Sequence, residues 1–248
     1  EGLDWVKYLD LTGDSHGNIY LRGEIRKPDE CFKGYYFYAF LYKVPIPVQL
    51  FILLAIGVYL LNRKKYDFLR NESFLLCPVL FFTIYFNFFF GTPIGIRFFI
   101  VVFPLLYVFC GSLLKEWKAF NVKLKSIIIF LVIYLIISVL SYFPHYLSYF
   151  NEIVWDRKQA YKILSDSNID WGQNELYLEK YKEKHPDIHI NPESPLTGRI
   201  VVGVNDLTGI WWDTERYRWL RENFEPIDHI AYSWLVYDIP DEALKEIR

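Results

Sequence analysis

One isolated cation in the chain has the chemistry to bind a phosphate. Arg97 separates two aromatic, uncharged runs and lies two residues after the turn residues Gly91-Thr-Pro-Ile-Gly95. A guanidinium is a planar fork of N–H donors that can bind a phosphate through two parallel hydrogen bonds. The simpler alternative is an arginine that reaches the lipid headgroups at a bilayer interface. Both interpretations put Arg97 at the edge of a membrane.

A second polar stretch carries carboxylates and amides beside a tryptophan. Its members are Asp166, Asn168, Asp170, Trp171 and Gln173. The alternation of acids and amide is typical of a calcium loop, but Trp171 stands at the glycine position and Tyr177 at the final glutamate position, which excludes an EF-hand. Two hypotheses stay open: a helix cap with an Asx turn, and a patch that binds saccharide hydroxyls while the indole covers an apolar sugar face.

A histidine near the start of the chain is a weaker candidate. His16 lies close in sequence to Asp14 and Glu24, before the first apolar segment. A single histidine is more often structural than functional, but these three side chains could line one polar site. We predict His16 as a second phosphate ligand beside Arg97 and keep Asp14 as a remote candidate for a reactive carboxylate.

Four apolar segments are long enough to cross a bilayer, which takes about 20 helical residues. They cover residues 35–61, 73–90, 98–114 and 126–143. The alternative, four buried helices of a soluble protein, is disfavoured because Ile127–Leu140 offers no polar face to water. We therefore predict a mainly α, polytopic membrane protein with four transmembrane helices.

The loops between these segments predict the orientation. Residues 62–72 and 115–125 each contain four Lys or Arg, and short basic loops usually face the cytoplasm. Residues 1–34, the turn before Arg97 and residues 144–248 then lie outside. We expect an integral, multi-pass plasma-membrane protein whose C-terminal domain is extracytoplasmic.

The segment 144–248 differs in composition from the apolar segments. It holds 12 Lys or Arg against 19 Asp or Glu. A helix is predicted over 170–184, with Asp170 as N-cap and Gln173 three residues later. Strands over 199–204 and 229–237 and a short helix over 214–223 complete a small α/β domain.

The overall composition excludes several classes of function. A net charge of -2 without a basic stripe gives no support for nucleic-acid binding. The three cysteines lie far apart and predict neither a disulfide framework nor a zinc site. The chain begins at Glu1 and contains no Met, so we expect a piece of a longer protein whose N-terminal part is missing.

Three stretches together resemble one family. They are residues 35–47, Gly95-Ile-Arg97 with Pro104, and residues 144–152 leading into Asp166-Ser-Asn-Ile-Asp-Trp-Gly-Gln173. These resemble the C-terminal half of bacterial and archaeal membrane glycosyltransferases of the protein-mannosyltransferase-like group in the GT-C class. The likeness covers most of residues 12–175. The last motif is the most specific of them.

The resemblance implies transfer of a sugar from a polyprenyl-phosphate donor to a glycan, lipid or protein acceptor on the outer face. It implies that Arg97 lies near the donor phosphate and that the catalytic carboxylate belongs to an earlier outer loop, which this chain lacks. No cofactor is implied, a divalent-metal requirement is left open, and no metal ligands are predicted. One departure is the segment Ile153–Arg157, where the family has a Gly-Gly-Pro-like turn.

Two other functions remain alternatives. One is a membrane-anchored module that binds a glycan or a protein partner without catalysis. A transporter is disfavoured because the intramembrane charges are Lys43 and Arg97, both near the outer interface, with no acid or histidine at the midplane. As an isolated polypeptide, the 248-residue chain is expected to be inactive.

Overall fold

A computed structural model of the chain describes residues 8, 18–27, 30, 32–61, 73–211 and 213–243. The protein is about half helical with small sheets, which confirms the mainly α prediction. It divides into two units. The α/β unit contains the described residues up to Phe32, His145–Tyr149 and the chain from Val154 onward; the helical unit contains Lys33–Pro144 and Phe150–Ile153.

The helical unit is built from apolar helices. They are α1 (Tyr35–Lys43), α2 (Ile46–Leu61), α3 (Ser73–Phe88), a 3-10 helix (Ile96–Val101), α4 (Val102–Cys110), α5 (Ser112–Lys115) and α6 (Val122–Leu140). Among the described residues, two continuous helical stretches are long and apolar enough to cross a bilayer, Ile96–Lys115 and Val122–Leu140. The pair α1 and α2 gives a third if a bent pair counts as one span. Two to three candidate membrane-spanning helices thus support the prediction of a membrane protein.

The first predicted span is bent rather than straight, by 109° between α1 and α2. Pro45 has no N–H to continue the helix and disfavours a helical conformation at Val44 before it. The freed carbonyls of Leu41 and Val44 accept hydrogen bonds from the Asn151 amide at 2.6 and 2.7 Å. The Gln49 amide donates to the same two carbonyls at 3.0 and 2.9 Å. The break is therefore satisfied by side chains, as an apolar environment requires.

The neighbours of this break are also specific. Asn151 is completely buried, and its backbone N–H donates to the carbonyl of Tyr42 at 2.8 Å. The buried ammonium of Lys43 lies 4.7 Å from the centroid of the Phe150 ring, within range of a cation–π interaction. The Phe150-Asn-Glu152 stretch thus has a structural role in holding the bend.

A second buried amide joins the start of α1 to the end of α3. The Asn87 side-chain oxygen accepts from the Phe37 N–H at 3.1 Å, and its nitrogen donates to the Thr83 carbonyl at 2.8 Å. The Asn87 carbonyl also accepts from the N–H of Gly34 at 2.8 Å. These three bonds supply partners for polar groups that the apolar surroundings could not solvate.

The α/β unit contains two sheets. The first is a hairpin of β1 (Ile19–Leu21) and β2 (Glu24–Arg26). The second has four strands, β3 (His189–Ile190), β4 (Gly198–Gly203), β5 (Asp228–Ile230) and β6 (Trp234–Ile239). Their order in the sheet is β3-β4-β6-β5. β3 and β4 are parallel and the other pairs antiparallel, and apolar side chains including Val201, Ile230 and Val236 form a buried cluster on the sheet. Helices α7 (Glu175–Lys184), α8 (Val204–Thr208) and α9 (Arg218–Asn223) accompany it.

The predicted strand over 199–204 is confirmed as β4. The single strand predicted over 229–237 is wrong, because this segment forms two strands, β5 and β6, joined by a turn. Ala231 and Tyr232 have positive φ values of 51° and 66°, which form a hairpin turn between β5 and β6. The predicted helix over 214–223 is shorter than expected and begins at Arg218.

The predicted N-cap at Asp170 is wrong, because α7 begins at Glu175. The Oδ1 atom of Asp170 accepts the N–H of Gly172 at 3.1 Å, and Gly172 has a φ of 78°, which no right-handed helix contains. Asn174 occupies the cap position, but its side-chain nitrogen donates to the Ala231 carbonyl at 3.0 Å and the Ser233 hydroxyl at 2.8 Å. The side chain at the cap position therefore contacts the β5–β6 turn and does not cap α7, so the capping pattern in the sequence did not determine where this helix begins.

Candidate functional site

Arg97 lies at the junction of two apolar helical stretches. It is the second residue of the 3-10 helix that leads into α4, and it follows a turn in which Thr92 and Ile94 are buried. Phe99, two residues further on, is buried and stacks on Tyr36 at 5.5 Å between ring centroids. This packing fixes the backbone at Arg97 and restricts the positions that its guanidinium can reach.

The Arg97 side chain itself is half-buried. Its Cζ atom lies 5.1 Å from the centroid of the Phe98 ring. An arginine over an aromatic face retains its positive charge and its N–H donors at the edge of the fork. Arg97 is thus a partly buried cation packed beside an aromatic ring.

The stretch 166–173 belongs to the α/β unit and forms a short 3-10 helix (Asp166–Asn168) followed by a turn. Asp166 adopts a φ of 61°, and one of its carboxylate oxygens accepts the N–H of Ser167 at 2.5 Å. The Asx turn at Asp170, described above, is also present. The Asx turn of the first hypothesis is therefore present, whereas its helix cap at Asp170 is not.

Two of the predicted sugar ligands are used inside the loop. Asn168 is 1% exposed, and its amide donates to the Ser165 carbonyl at 3.0 Å. Gln173 accepts the Trp171 N–H at 2.6 Å and donates to the Ile169 carbonyl at 3.0 Å. Asn168 and Gln173 thus shape the turn from within.

The remaining predicted ligands are more accessible. The indole of Trp171 is 65% exposed, and the adjacent Asp170 is half-buried. Burial raises the pKa of Asp170, the Gly172 N–H opposes this increase, and the carboxylates of Glu175 and Asp206 add to it. An exposed ring next to a carboxyl group is the combination that saccharide binding uses.

Asp206, which the sequence analysis did not single out, is the second carboxylate of this region. It lies on α8, and its Oδ2 atom accepts from the Asn191 amide at 2.7 Å. Burial raises its pKa, while the Asn191 hydrogen bond and the Arg216 charge lower it. The Asp206 carboxylate also contributes to the raised pKa of Asp170, so the two carboxyl groups interact electrostatically.

Asn205 connects α8 to the loop that contains residues 166–173. Its side-chain oxygen accepts the Ser165 hydroxyl at 3.1 Å and the Asp166 N–H at 2.9 Å, while its nitrogen donates to the Asp170 carbonyl at 3.3 Å. The only sequence signal for this role was the polar pair Asn205-Asp206 directly after a buried strand. Ser165 and Asn205 are 40 residues apart in the chain, so their contact exists only in the folded unit.

The polar group predicted around His16 lies mostly outside the described residues. His16 and Asp14 lie outside the described residues, as does the basic loop 62–72. Glu24, the third member of that group, lies on β2 and pairs with Arg26 at 3.0 Å. Within the part of the chain that the structure describes, no group of three or more His, Cys, Asp or Glu side chains is arranged to hold a metal ion.

Comparison of the chain with family models, curated proteins and solved structures finds no match. The resemblance to membrane glycosyltransferases therefore stays a hypothesis based on the quoted sequence motifs.

Proposed function

We propose that the chain is part of an integral membrane glycosyltransferase of the protein-mannosyltransferase-like group. In this proposal a sugar passes from a polyprenyl phosphate to the hydroxyl of a glycan, lipid or protein acceptor at the outer face. The observation that carries the proposal is the half-buried Arg97 between two apolar helical stretches, at the position where the family motif has its arginine.

Arg97 would stabilise the leaving polyprenyl phosphate. Negative charge increases on the phosphate as the bond to the sugar breaks, and a fixed guanidinium in a partly desolvated site lowers the energy of that transition state. The base that deprotonates the acceptor hydroxyl is a carboxylate outside this chain, with Asp14 the remote alternative.

An apolar groove in the helical unit supports a lipid-linked donor. It has a volume of about 670 Å³ and is lined by side chains from α2, α4 and α6, including Val48, Tyr107 and Leu135. The helix that carries Tyr107 continues directly from the 3-10 helix that carries Arg97. An isoprenoid chain in this groove would extend along the same helical stretch as its phosphate.

The acceptor side is assigned to the α/β unit. Trp171 would cover an apolar sugar face, and Asp170 and Asp206 would bind hydroxyls. The proposal also includes the four-span topology, with the basic loops 62–72 and 115–125 in the cytoplasm and the α/β unit outside.

The decisive experiment measures sugar transfer by membranes that contain the full-length protein. A panel of polyprenyl-phosphate hexoses serves as donor. Arg97→Ala is expected to lower the rate by about 100-fold or more, as loss of one preorganised charge stabiliser does. Lys182→Ala, an exposed position on α7, is the matched control and should retain full activity. Equal rates in both variants, at equal membrane levels, would rule out the role of Arg97.

A binding module without catalysis is the second candidate, and the exposed Trp171 beside Asp170 favours it. Here Trp171→Ala would abolish retention on a glycan array, while neither the wild type nor Arg97→Ala would transfer sugar. Transfer by the wild-type full-length protein would exclude this candidate.

A further inference from the structure

The α/β unit contains a positively charged cleft beside the β1–β2 hairpin. Its volume is about 950 Å³, and its lining includes six cationic side chains and three carboxylates. The cations are Arg22, Arg26, Lys27, Lys162, Arg218 and Arg221. Three of these cations come from residues 22–27 and three from the segment 144–248, which as a whole has 12 Lys or Arg and 19 Asp or Glu, so positive charge is concentrated at this cleft. None of residues 166–173 lines this cleft.

Several of the rim cations have exposed carboxylate partners. Arg26 pairs with Glu24 at 3.0 Å and Lys162 with Glu225 at 2.7 Å, and Arg218 pairs with two nearby glutamates. Exposed ion pairs of this kind contribute little to stability, because water and salt screen their charges. They can therefore be exchanged for a ligand that carries more than one negative charge.

Arg221 has a different environment. Its guanidinium donates to the backbone carbonyls of Leu207 and Thr214. These neutral carbonyl acceptors hold the side chain in place. The positive charge lowers the pKa of the Tyr20 and Tyr161 hydroxyls, although burial is the larger effect and raises the pKa of Tyr161 to about 12. Both phenols are therefore neutral O–H donors at physiological pH.

The Tyr161 hydroxyl is an additional donor at this cleft. The hydroxyl is buried, and a side-chain hydrogen bond with the neighbouring Tyr237 hydroxyl lowers the pKa of Tyr161. A phenol can accept one hydrogen bond and donate another, so the Tyr161 O–H can donate to a bound acceptor oxygen.

Arg22 lies at the tip of the β1–β2 hairpin. Arg22 and Gly23 have φ values of 53° and 84°, which is the pattern of a two-residue type I′ turn. Asn is preferred at the first of these positions, and other side chains are strained there. The chain thus carries an exposed arginine at a position where the backbone favours a short amide.

We propose that this cleft binds a phosphorylated ligand through Arg22, Lys27 and Arg221, with the Tyr161 hydroxyl as a further donor. The phosphate is either that of a soluble molecule or the headgroup of an anionic lipid. The site is separate from Arg97 and from residues 166–173, and its ligand need not take part in sugar transfer.

Calorimetric titration of the purified chain in neutral detergent with inorganic pyrophosphate tests the proposal. Saturable binding of one pyrophosphate per chain is expected, weaker at about 0.5 M than at about 0.1 M salt because salt screens exposed charges. The double variant Arg22→Asn/Lys27→Gln should bind at least about 10-fold more weakly, since two charge-assisted hydrogen-bond donors to the phosphate are lost. Arg22→Asn suits the turn, so its melting temperature should not fall.

The matched control removes two positive charges elsewhere. Lys182→Gln/Lys184→Gln, on exposed positions of α7, should leave the affinity for pyrophosphate unchanged. Equal affinities of the two double variants, or no saturable binding by the wild type, would overturn the proposal.

A second titration distinguishes the two sources of phosphate. Vesicles of phosphatidylglycerol displace pyrophosphate if the site takes a lipid headgroup, and vesicles of phosphatidylcholine do not. Pyrophosphate that stays bound in the presence of phosphatidylglycerol identifies a soluble phosphorylated ligand. Sugar transfer is not measured, so the result is independent of the glycosyltransferase proposal.

Discussion

Asp170 and Asp206 illustrate how two carboxyl groups acquire unusual titration behaviour. Burial is the main cause for both, and each is then adjusted by a different neighbour: the Gly172 N–H for Asp170 and the Asn191 amide for Asp206. A carboxyl group with a raised pKa holds its proton to a higher pH in the folded than in the unfolded chain. Folding stability therefore falls as the pH rises through the interval between the two pKa values.

Asp170→Asn should stabilise the protein at pH 7 and not at acidic pH. The substitution removes the buried charge and keeps a side-chain oxygen for the Gly172 N–H. The difference in melting temperature between variant and wild type should shrink as the pH falls towards the ordinary pKa of 3.8, where Asp170 becomes neutral. Thermal unfolding between about pH 3.5 and 7 measures this. Asp187→Asn, at an exposed position, is the control. A stabilisation that is the same at every pH would contradict the assignment.

The residues of the candidate site could be predicted only where the signal was local. The Asx turn at Asp170 and the exposed indole of Trp171 follow from adjacent residue types. Asp206 could not be predicted, because it comes near Asp170 only after β4 and α8 have formed. Asn168 and Gln173 were expected at the surface of a ligand site, but the loop uses their amides to satisfy its own backbone.

The bend between α1 and α2 depends on Asn151. Asn151→Ala removes the two hydrogen bonds to the Leu41 and Val44 carbonyls and the acceptor for the Ile153 N–H, while Gln49 retains its bonds to the same two carbonyls. We expect a loss of about 2 kcal/mol in the free energy of unfolding, the usual cost of removing a buried amide donor. Thermal or denaturant unfolding in detergent, followed by helical circular dichroism, measures it.

Asn223→Ala is the control for this substitution, since Asn223 is exposed and donates one bond to the Trp219 carbonyl. Its effect should stay within about 0.5 kcal/mol. The combined loss of Gln49 and Asn151 amides should exceed the sum of the single losses, because each then leaves the carbonyls without the other donor. Additive effects would show that the two amides act independently.

The end of α8 requires a glycine for two reasons. Gly209 has a φ of 72°, and a Cβ atom there would lie 2.6 Å from the Cα of Thr214. Gly198 has a φ of 91°, and a Cβ atom added to it would meet no atom within 4 Å. Substitution of Gly198 therefore measures the cost of the backbone conformation without a steric clash. Gly198→Ala should cost about 1 kcal/mol and Gly209→Ala at least about 2 kcal/mol more. Chemical denaturation measures both; equal losses would mean that the backbone near Thr214 relaxes freely.

Helices and strands with a regular pattern of apolar residues were predicted well, whereas the turns that interrupt them were not. The apolar run of α6 and the buried strand β4 depend on residue type alone, so the sequence was sufficient. The turn at Ala231 and Tyr232 has no Gly or Asn to mark it, and it is held instead by the Asn174 amide and by the Arg157 guanidinium, which donates to the Tyr232 hydroxyl at 2.9 Å. Such tertiary contacts have no local signature.

The sidedness of the whole molecule decides whether Arg97 can meet a lipid-linked donor on the outer face. The basic loops predict that residues 115–125 face the cytoplasm and that the α/β unit lies outside. A variant in which Cys31, Cys77 and Cys110 are replaced by Ser provides a background for single-cysteine labelling. Ser194→Cys and Lys118→Cys then introduce one exposed thiol in each region.

A membrane-impermeant maleimide should label Ser194→Cys in intact cells and Lys118→Cys only after permeabilisation. The physical reason is that a polar, folded α/β unit and a cluster of lysines cannot both lie on the same side if a single apolar helix, α6, crosses the bilayer between them. Labelling of both variants after permeabilisation controls for thiol accessibility. If Ser194→Cys reacts only in permeabilised cells, the α/β unit is cytoplasmic, Arg97 faces the inner leaflet, and a donor presented at the outer surface cannot reach it.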